Sequence, residues 1–321
     1  MTAARRGARG VDLRVRLGPL ELPNPIVTAS GTFGHGDEVA RLCDPSALGA
    51  VTTKSLAPYE WPGHPAPRLH PTAGGMLNAV GLQGPGVEHW LDHDLPALRA
   101  RDARVVVSLW GRTVDDFALG AKMLVRAHDE LAGIEVNVSC PNLEDRSRMF
   151  AHDPGATAAA VGAVVEHSGT LPVLAKLSPN TSDLVEIARG ALDAGATGVT
   201  LINTVLGLAV DARTRQPVLG AGGGGLSGPA IKPVALRAVH DVARALPGVA
   251  IVGTGGVTSA TDAVEMLLAG ASAVGVGTAT FADPRAPLRI LRGLARWCRR
   301  HDVARVADLT GAMGAAAAPP G

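Results

Sequence analysis

Short apolar runs rich in β-branched residues recur along the chain, each closed by a small or polar residue. They are 26–30 (IVTAS), 50–55 (AVTTKS), 104–110 (RVVVSLW), 134–139 (IEVNVS), 172–178 (PVLAKLS), 198–204 (GVTLINT), 249–256 (VAIVGTGG) and 272–280 (SAVGVGTAT). The runs are near-continuous rather than alternating, as strands buried on both faces of a parallel sheet require. Helical periodicity fills the gaps. Leu184, Ile187, Ala188 and Ala191 share one face of 181–195, with Gly195 as a stop. Ile231, Val234, Ala235, Ala238, Val239, Val242 and Leu246 form a stripe over 230–246, and Thr258 or Ser259 caps a helix running to Gly270. The text AGATGV at 194–199 returns as AGASAV at 269–274, a weak internal repeat of the strand–helix unit. Eight such strands alternating with helices over about 300 residues predict a single α/β domain, a TIM (β/α)8 barrel spanning 1–321. An open doubly wound sheet is the alternative, but it usually carries a Gly-rich phosphate turn after its first strand, and here that strand ends in ASGTFG. Residues 13–25 read as a β-hairpin plugging the N-terminal end of the barrel, and 1–10 and 312–321 are expected to fray.

Composition narrows the class of partner. With 30 Lys+Arg against 29 Asp+Glu the chain has a net charge of +1, no long basic run and no RNA-reading aromatic motif, so nucleic acid is not an expected partner. Four Trp, four Phe and one Tyr leave the core to Val, Leu, Ile and Ala. Cys43, Cys140 and Cys298 are too few and too scattered for a disulfide framework or a Cys-rich metal site. No apolar run approaches the ~20 residues of a spanning helix. The Arg-bearing N-terminus lacks the apolar stretch of a secretory signal, so no membrane contact and a cytoplasmic location are expected.

In a TIM barrel the chemistry sits at the C-terminal strand ends. Here those ends supply Ser30, Lys54, Ser55, Ser108, Asn137 to Cys140, Lys176, Asn203, Thr204, Gly255, Gly256, Gly277 and Thr278. The long connections 56–90 and 205–229 both follow such ends and are expected to cover the same mouth. One lysine at a strand tip is as readily a solvent-seeking side chain as a ligand. Two, Lys54 and Lys176, point to a shared anionic ligand, whether a phosphate, a Schiff-base partner or a developing anion. A lone cysteine is usually a small buried hydrophobe. Around Cys140, however, Pro141 blocks a helix and Asn137, Ser139 and Asn142 are polar, and a thiol at a polar mouth with lysines nearby can have its pKa lowered from ~8.5 and serve as base or nucleophile. The GTGG and GVGT turns place backbone amides where many such barrels bind phosphate. The run 220–225 formally fits a dinucleotide fingerprint, but no clear strand precedes it and Gly228-Pro229 breaks its link to the next helix; it reads as a flexible hinge. In 74–86 (GGMLNAVGLQGPG), Asn78 and Gln83 both give and take hydrogen bonds, as an imide ligand needs. His35, His64 and His70 lie in loops and are expected to face solvent, and no histidine pair has metal-ligand spacing. On these residues alone a flavin barrel and a sugar-phosphate aldolase or synthase both remain open.

Taken together, ASGTFG, GMLNAVGLQGPG, NVSCPN, KLSPN, INT, GGLSGPAIKP, GTGGV and GASAVGVGTATFADP, in register from about residue 11 to about residue 310, resemble the dihydroorotate dehydrogenase family, and most of all its NAD-linked class 1B catalytic subunits. The resemblance implies FMN-dependent oxidation of dihydroorotate to orotate in pyrimidine synthesis. Cys140 would be the base that removes the carbon-5 proton while hydride leaves carbon 6. It further implies substrate contacts from Lys54, Asn78, Ala79, Val80, Gly81, Leu82, Asn137, Asn203 and Thr204. FMN contacts would come from Ser30, Lys54, Ser55, Ser108, Asn137, Lys176, Ile202, Gly228, Gly255, Gly256, Gly277 and Thr278, with Lys176 stabilising the reduced ring. Several relatives carry Asn where Ser108 stands, which makes Ser108 the weakest of these. The class implies a catalytic homodimer joined in a heterotetramer to an electron-transfer subunit that holds FAD and a 2Fe-2S cluster. Alternatives are the fumarate-linked class 1A enzyme, which shares the SCPN loop, a relative acting on another pyrimidine, and the non-redox sugar-phosphate barrel.

Overall fold

The computed structural model describes residues 10–140 and 149–314. The expectations placed on Pro141, Asn142, 1–9 and 315–321 lie outside these described residues. Eight parallel strands form the central sheet: β1 (Ile26–Thr28), β2 (Val51–Thr52), β3 (Val105–Leu109), β4 (Gly133–Asn137), β5 (Val173–Leu177), β6 (Gly198–Leu201), β7 (Ile251–Thr254) and β8 (Ala273–Val276). Their order is β1-β8-β7-β6-β5-β4-β3-β2, and a parallel bridge from Val27 to Ala50 joins the two ends. This is the predicted barrel, and the open doubly wound sheet is excluded. Each strand falls within its expected apolar run except β4, which begins one residue early at Gly133.

Helices clothe the sheet: α1 (Val87–His93), α2 (Leu95–Arg99), α3 (Val114–Leu124), α4 (Pro154–Val165), α5 (Leu184–Asp193), α6 (Lys232–Ala245), α7 (Ala260–Ala269), α8 (Ala279–Ala282) and α9 (Ala286–Arg300). The start of α7 shows how local sequence sets a boundary. Ser259 Oγ accepts from the Asp262 amide at 3.2 Å and Asp262 Oδ2 accepts from the Ser259 amide at 2.9 Å, a reciprocal cap. Its end is Gly270, at φ +127°, where a Cβ would stand 2.4 Å from that of Ala243 on α6. In α6 the expected stripe loses Val234, which is 44% exposed. Ala235, Ala238, Val239 and Val242 turn inward together, and Val234 lies about 100° round the helix from Ala235.

The hairpin Val15–Leu17/Leu20–Leu22 packs Val15, Leu17 and Leu22 into the core, with Gly18 against Thr197 just before β6, and so closes the N-terminal end as expected. At the other end of the chain, Gly311 and Met313 donate backbone hydrogen bonds to Leu267 and Leu268 of α7, so the expected fraying does not begin at 312. Over the C-terminal mouth the two long connections meet in one antiparallel sheet, ordered Val205–Gly207, Gly224–Ser227, Gly75–Asn78, Leu69–Thr72. The hinge expectation for 220–225 is thereby corrected. Gly224 and Gly225 are strand residues; a Cβ on them would meet Asn78 O at 2.5 Å and Thr204 Oγ1 at 2.1 Å. These glycines permit close strand contact and do not form a strand-to-helix phosphate turn.

Candidate active site

Between barrel mouth and lid sheet lies a cavity of about 820 Å³. Its floor is built from ionisable residues inside otherwise apolar strands. Lys176 of β5 is buried and donates to Ser30 Oγ at 2.7 Å, with Glu135 Oε1 of β4 at 3.9 Å. Glu135, also buried, accepts from Thr200 Oγ1 of β6 at 2.8 Å, so the lysine is oriented by a carboxylate that is itself held. Glu135 was not foreseen, although it carries the signal that singled out the lysines: a charged residue interrupting an apolar run.

Next to this pair runs an amide–hydroxyl chain. Asn203 Nδ2 donates to Asn137 Oδ1 at 3.3 Å, Asn137 Nδ2 to Ser55 Oγ at 3.1 Å, and Ser55 Oγ meets Ser108 Oγ at 2.9 Å. Ser55 and Asn137 line the cavity. Ser108 is wholly buried behind Ser55 and does not, which corrects its reading as a contact residue. Its shorter side chain ends on Ser55 rather than reaching the mouth.

Lys54 lines the same cavity. Its Nζ is buried without a hydrogen-bond partner, and burial, aided by the charge of Arg68, lowers the ammonium to about 8. Asn78, Ala79, Val80, Gly81 and Leu82 line the cavity from the lid, with Gly81 at φ +74° and Leu82 at φ +61°. A non-glycine residue in the left-handed region is uncommon. Asn78 Nδ2 donates to Gly225 O at 3.2 Å, and Asn203 Oδ1 accepts from the Thr204 amide at 2.8 Å. Ile202, Asn203, Thr204, Gly228, Gly255, Gly256, Gly277 and Thr278 complete the lining as expected.

Three expectations need correction. Cys140 is fully buried outside the lining, its Sγ donating to Gly111 O at 3.1 Å and Asn137 O at 3.2 Å, and burial pushes the thiol up to about 12. The lysine ammonium groups are not among its partners, so the expected lowering does not occur. Gln83 is exposed outside the lining, its Oε1 taken by Arg68 Nη1. His35 does not face solvent. It is half-buried, its Nε2 has no partner, and burial with Lys54 nearby lowers it to about 4, while His64, though exposed, lines the cavity. Ser139, one of the strand-end residues expected at the mouth, lines the cavity; sequence reasoning missed Trp61, Trp110 and Arg112, which also line it, because ordinary loop and strand-end residues carry no pattern that marks them. Among the described residues no group of three or more His, Cys, Asp or Glu is arranged to hold a metal ion.

Fold and site define a TIM-barrel enzyme whose mouth presents a buried and a half-buried lysine and a row of amides beneath an antiparallel lid. Residues 12–297 match the family described as dihydroorotate dehydrogenase, and the chain belongs to that family of oxidoreductases. The dihydroorotate dehydrogenase B (NAD(+)) catalytic subunit of Pelobacter propionicus is 48% identical over 302 residues, 94% of this chain and 98% of the relative. The subunits of the same name from Geotalea daltonii (46% over 302 residues) and Alkaliphilus metalliredigens (43% over 303) also cover 94% of this chain, and 98% and 99% of their own lengths. The resemblance to the NAD-linked class is borne out, and the non-redox sugar-phosphate reading is not favoured.

Proposed function

We propose that this chain is the catalytic subunit that oxidises dihydroorotate to orotate with FMN, in de novo pyrimidine synthesis in the cytoplasm, its electrons leaving through a partner subunit to NAD. The observation that carries the reading is the cavity's unmet demand for an anionic, imide-bearing ligand. Lys54 Nζ is buried without an acceptor, and Asn78, Asn137 and Asn203 line the same cavity. The residues also fit the flavin. Lys176 is a buried cation presented at the mouth by Ser30 and Glu135, and the Gly255–Gly256 and Gly277–Thr278 turns follow β7 and β8, where backbone amides suit a phosphate.

Bound FMN supplies the two-electron acceptor for hydride from carbon 6. The chain's residues do the rest. Lys54 holds the substrate carboxylate, and Asn78, Asn137, Asn203 and Thr204, with the backbone of 79–82, hold the ring's imide edge. Ser30, Ser55, Ile202, Gly228 and the two late turns seat the flavin, and Lys176 balances the charge it gains on reduction. Cys140 takes the carbon-5 proton. To do so it first gives its own proton to solvent and releases the carbonyls of Gly111 and Asn137, so that the thiolate accepts the carbon-5 proton.

A homodimer joined to an electron-transfer subunit carrying FAD and a 2Fe-2S cluster completes the route to NAD. Three cysteines, each buried in a different part of the fold, offer this chain no four-thiolate cluster site of its own. The test is an anaerobic visible spectrum before and after dihydroorotate. Flavin bands that bleach support cofactor, substrate and reaction together. Bands that persist point to another pyrimidine, and absence of flavin after FMN is added back overturns the redox reading.

A further inference from the structure

Four residues of the cavity lining bring hydrogen-bond donors together, and those of Trp110 and Ser139 have no acceptor. Trp110 and Arg112 follow β3, Ser139 follows β4, and Trp61 comes from the first lid connection; all four line the cavity. The rings of Trp61 and Trp110 pack edge to face at 5.9 Å, and Tyr59 closes the cluster at 6.3 and 6.5 Å. Arg112 lays its guanidinium 4.7 Å over the Trp61 ring. Trp61 in turn donates Nε1 to Gly81 O at 3.0 Å, which fixes this stack to the loop that lines the substrate side.

The neighbouring acid is already engaged. Asp116 Oδ2 accepts from Tyr59 Oη at 2.8 Å, from the Arg112 amide at 2.8 Å and from the Thr113 amide at 3.3 Å. Among the described residues the Arg112 guanidinium has the Trp61 face and no carboxylate partner. Trp110 is 2% exposed and its Nε1 has no acceptor; Ser139 Oγ is buried and equally unpartnered. Buried donors left unmet are costly, and a ligand that brings acceptor oxygens recovers that cost on binding. A planar guanidinium held flat against an indole keeps its fork oriented, and two parallel N–H groups match a carboxylate better than any neutral ring edge.

We propose that Arg112, stacked on Trp61 and flanked by Trp110 and Ser139, is a specificity-determining residue that recognises the carboxylate of the substrate alongside Lys54. The proposal rests on the dihydroorotate reading and separates that substrate from uncharged pyrimidines, which have no group to satisfy the guanidinium.

The test is a titration of FMN-loaded protein with orotate, followed by the flavin absorbance, in wild type, Arg112→Gln and Arg112→Lys. A charged hydrogen bond of about 1.5–3 kcal/mol corresponds to a roughly 10- to 150-fold weaker orotate Kd in Arg112→Gln. FMN affinity, melting temperature and the limiting rate of flavin reduction should stay as in wild type, with the KM for dihydroorotate rising in step with the Kd. Arg112→Lys should fall between the two, because it keeps a point charge and loses the fork. Unchanged orotate affinity in Arg112→Gln overturns the proposal. So does a loss shared equally by FMN affinity and melting temperature, which marks a structural role. Wild-type protein that does not respond to orotate at all removes the dihydroorotate reading itself, and this proposal with it.

Discussion

A thiol sealed between two backbone carbonyls makes a poor base until it ionises, and that sets the pH behaviour of Cys140. With its pKa pushed up to about 12 by burial, the thiolate fraction rises about tenfold per pH unit across the neutral range. The limiting rate of flavin reduction, measured by stopped flow at saturating dihydroorotate, should climb with the same slope up to at least pH 9. A flat profile refutes the assignment. Cys140→Ala should keep its flavin and lose about 10²–10⁴-fold in that rate. Lys54 behaves oppositely. Its folded pKa of about 8 lies below the ordinary 10.5, so the fold disfavours its charge. The penalty is complete below about 8 and disappears as pH rises toward 10.5. Lys54→Met should therefore raise the ligand-free melting temperature at pH 7 by about 2–5 °C, lose that advantage near pH 10.5, and abolish orotate binding. Calorimetry and a flavin-monitored titration read the two effects separately.

Among the elements, the lid sheet departs most from what its sequence suggests. Six residues, 220–225, with five glycines look like slack chain, yet Gly225 sits opposite Asn78 in a strand and leaves no room for a methyl group beside Thr204. Gly225→Ala should cost about 1–3 kcal/mol by overpacking. It should also weaken orotate binding, because Thr204 is displaced while Asn78 gives its amide to Gly225 O. A melting temperature and orotate Kd indistinguishable from wild type count against a packed lid. The barrel strands and α7 follow their local signals, since continuous apolar runs and a reciprocal cap act over a few residues. The exposure of Val234 shows the limit of periodicity, because which edge of a stripe is covered depends on the neighbouring helix.

For the whole molecule, the described helices include none long and apolar enough to cross a membrane, and the relatives it matches are named as catalytic subunits. The expected division of labour is that this chain alone bleaches with dihydroorotate but reduces no NAD, and gains NADH formation at 340 nm only when an electron-transfer subunit is added. NADH formed by the isolated chain overturns that division. The barrel and the mouth residues at its strand ends, such as Lys54, Asn137 and Lys176, were legible in the sequence, because they depend on short apolar runs and on the rule that places loops at one end of a parallel barrel, whereas Ala79 to Leu82, Ile202 and Gly228 came only from the family resemblance. The folded chain alone showed which neighbours those residues meet. Cys140 turns to carbonyls instead of lysines, Ser108 hides behind Ser55, Glu135 reaches across to Lys176, and Arg112 finds Trp61 rather than an acid. These pairings join residues far apart in the chain, and their energetics depend on burial and direction, which a linear pattern does not carry.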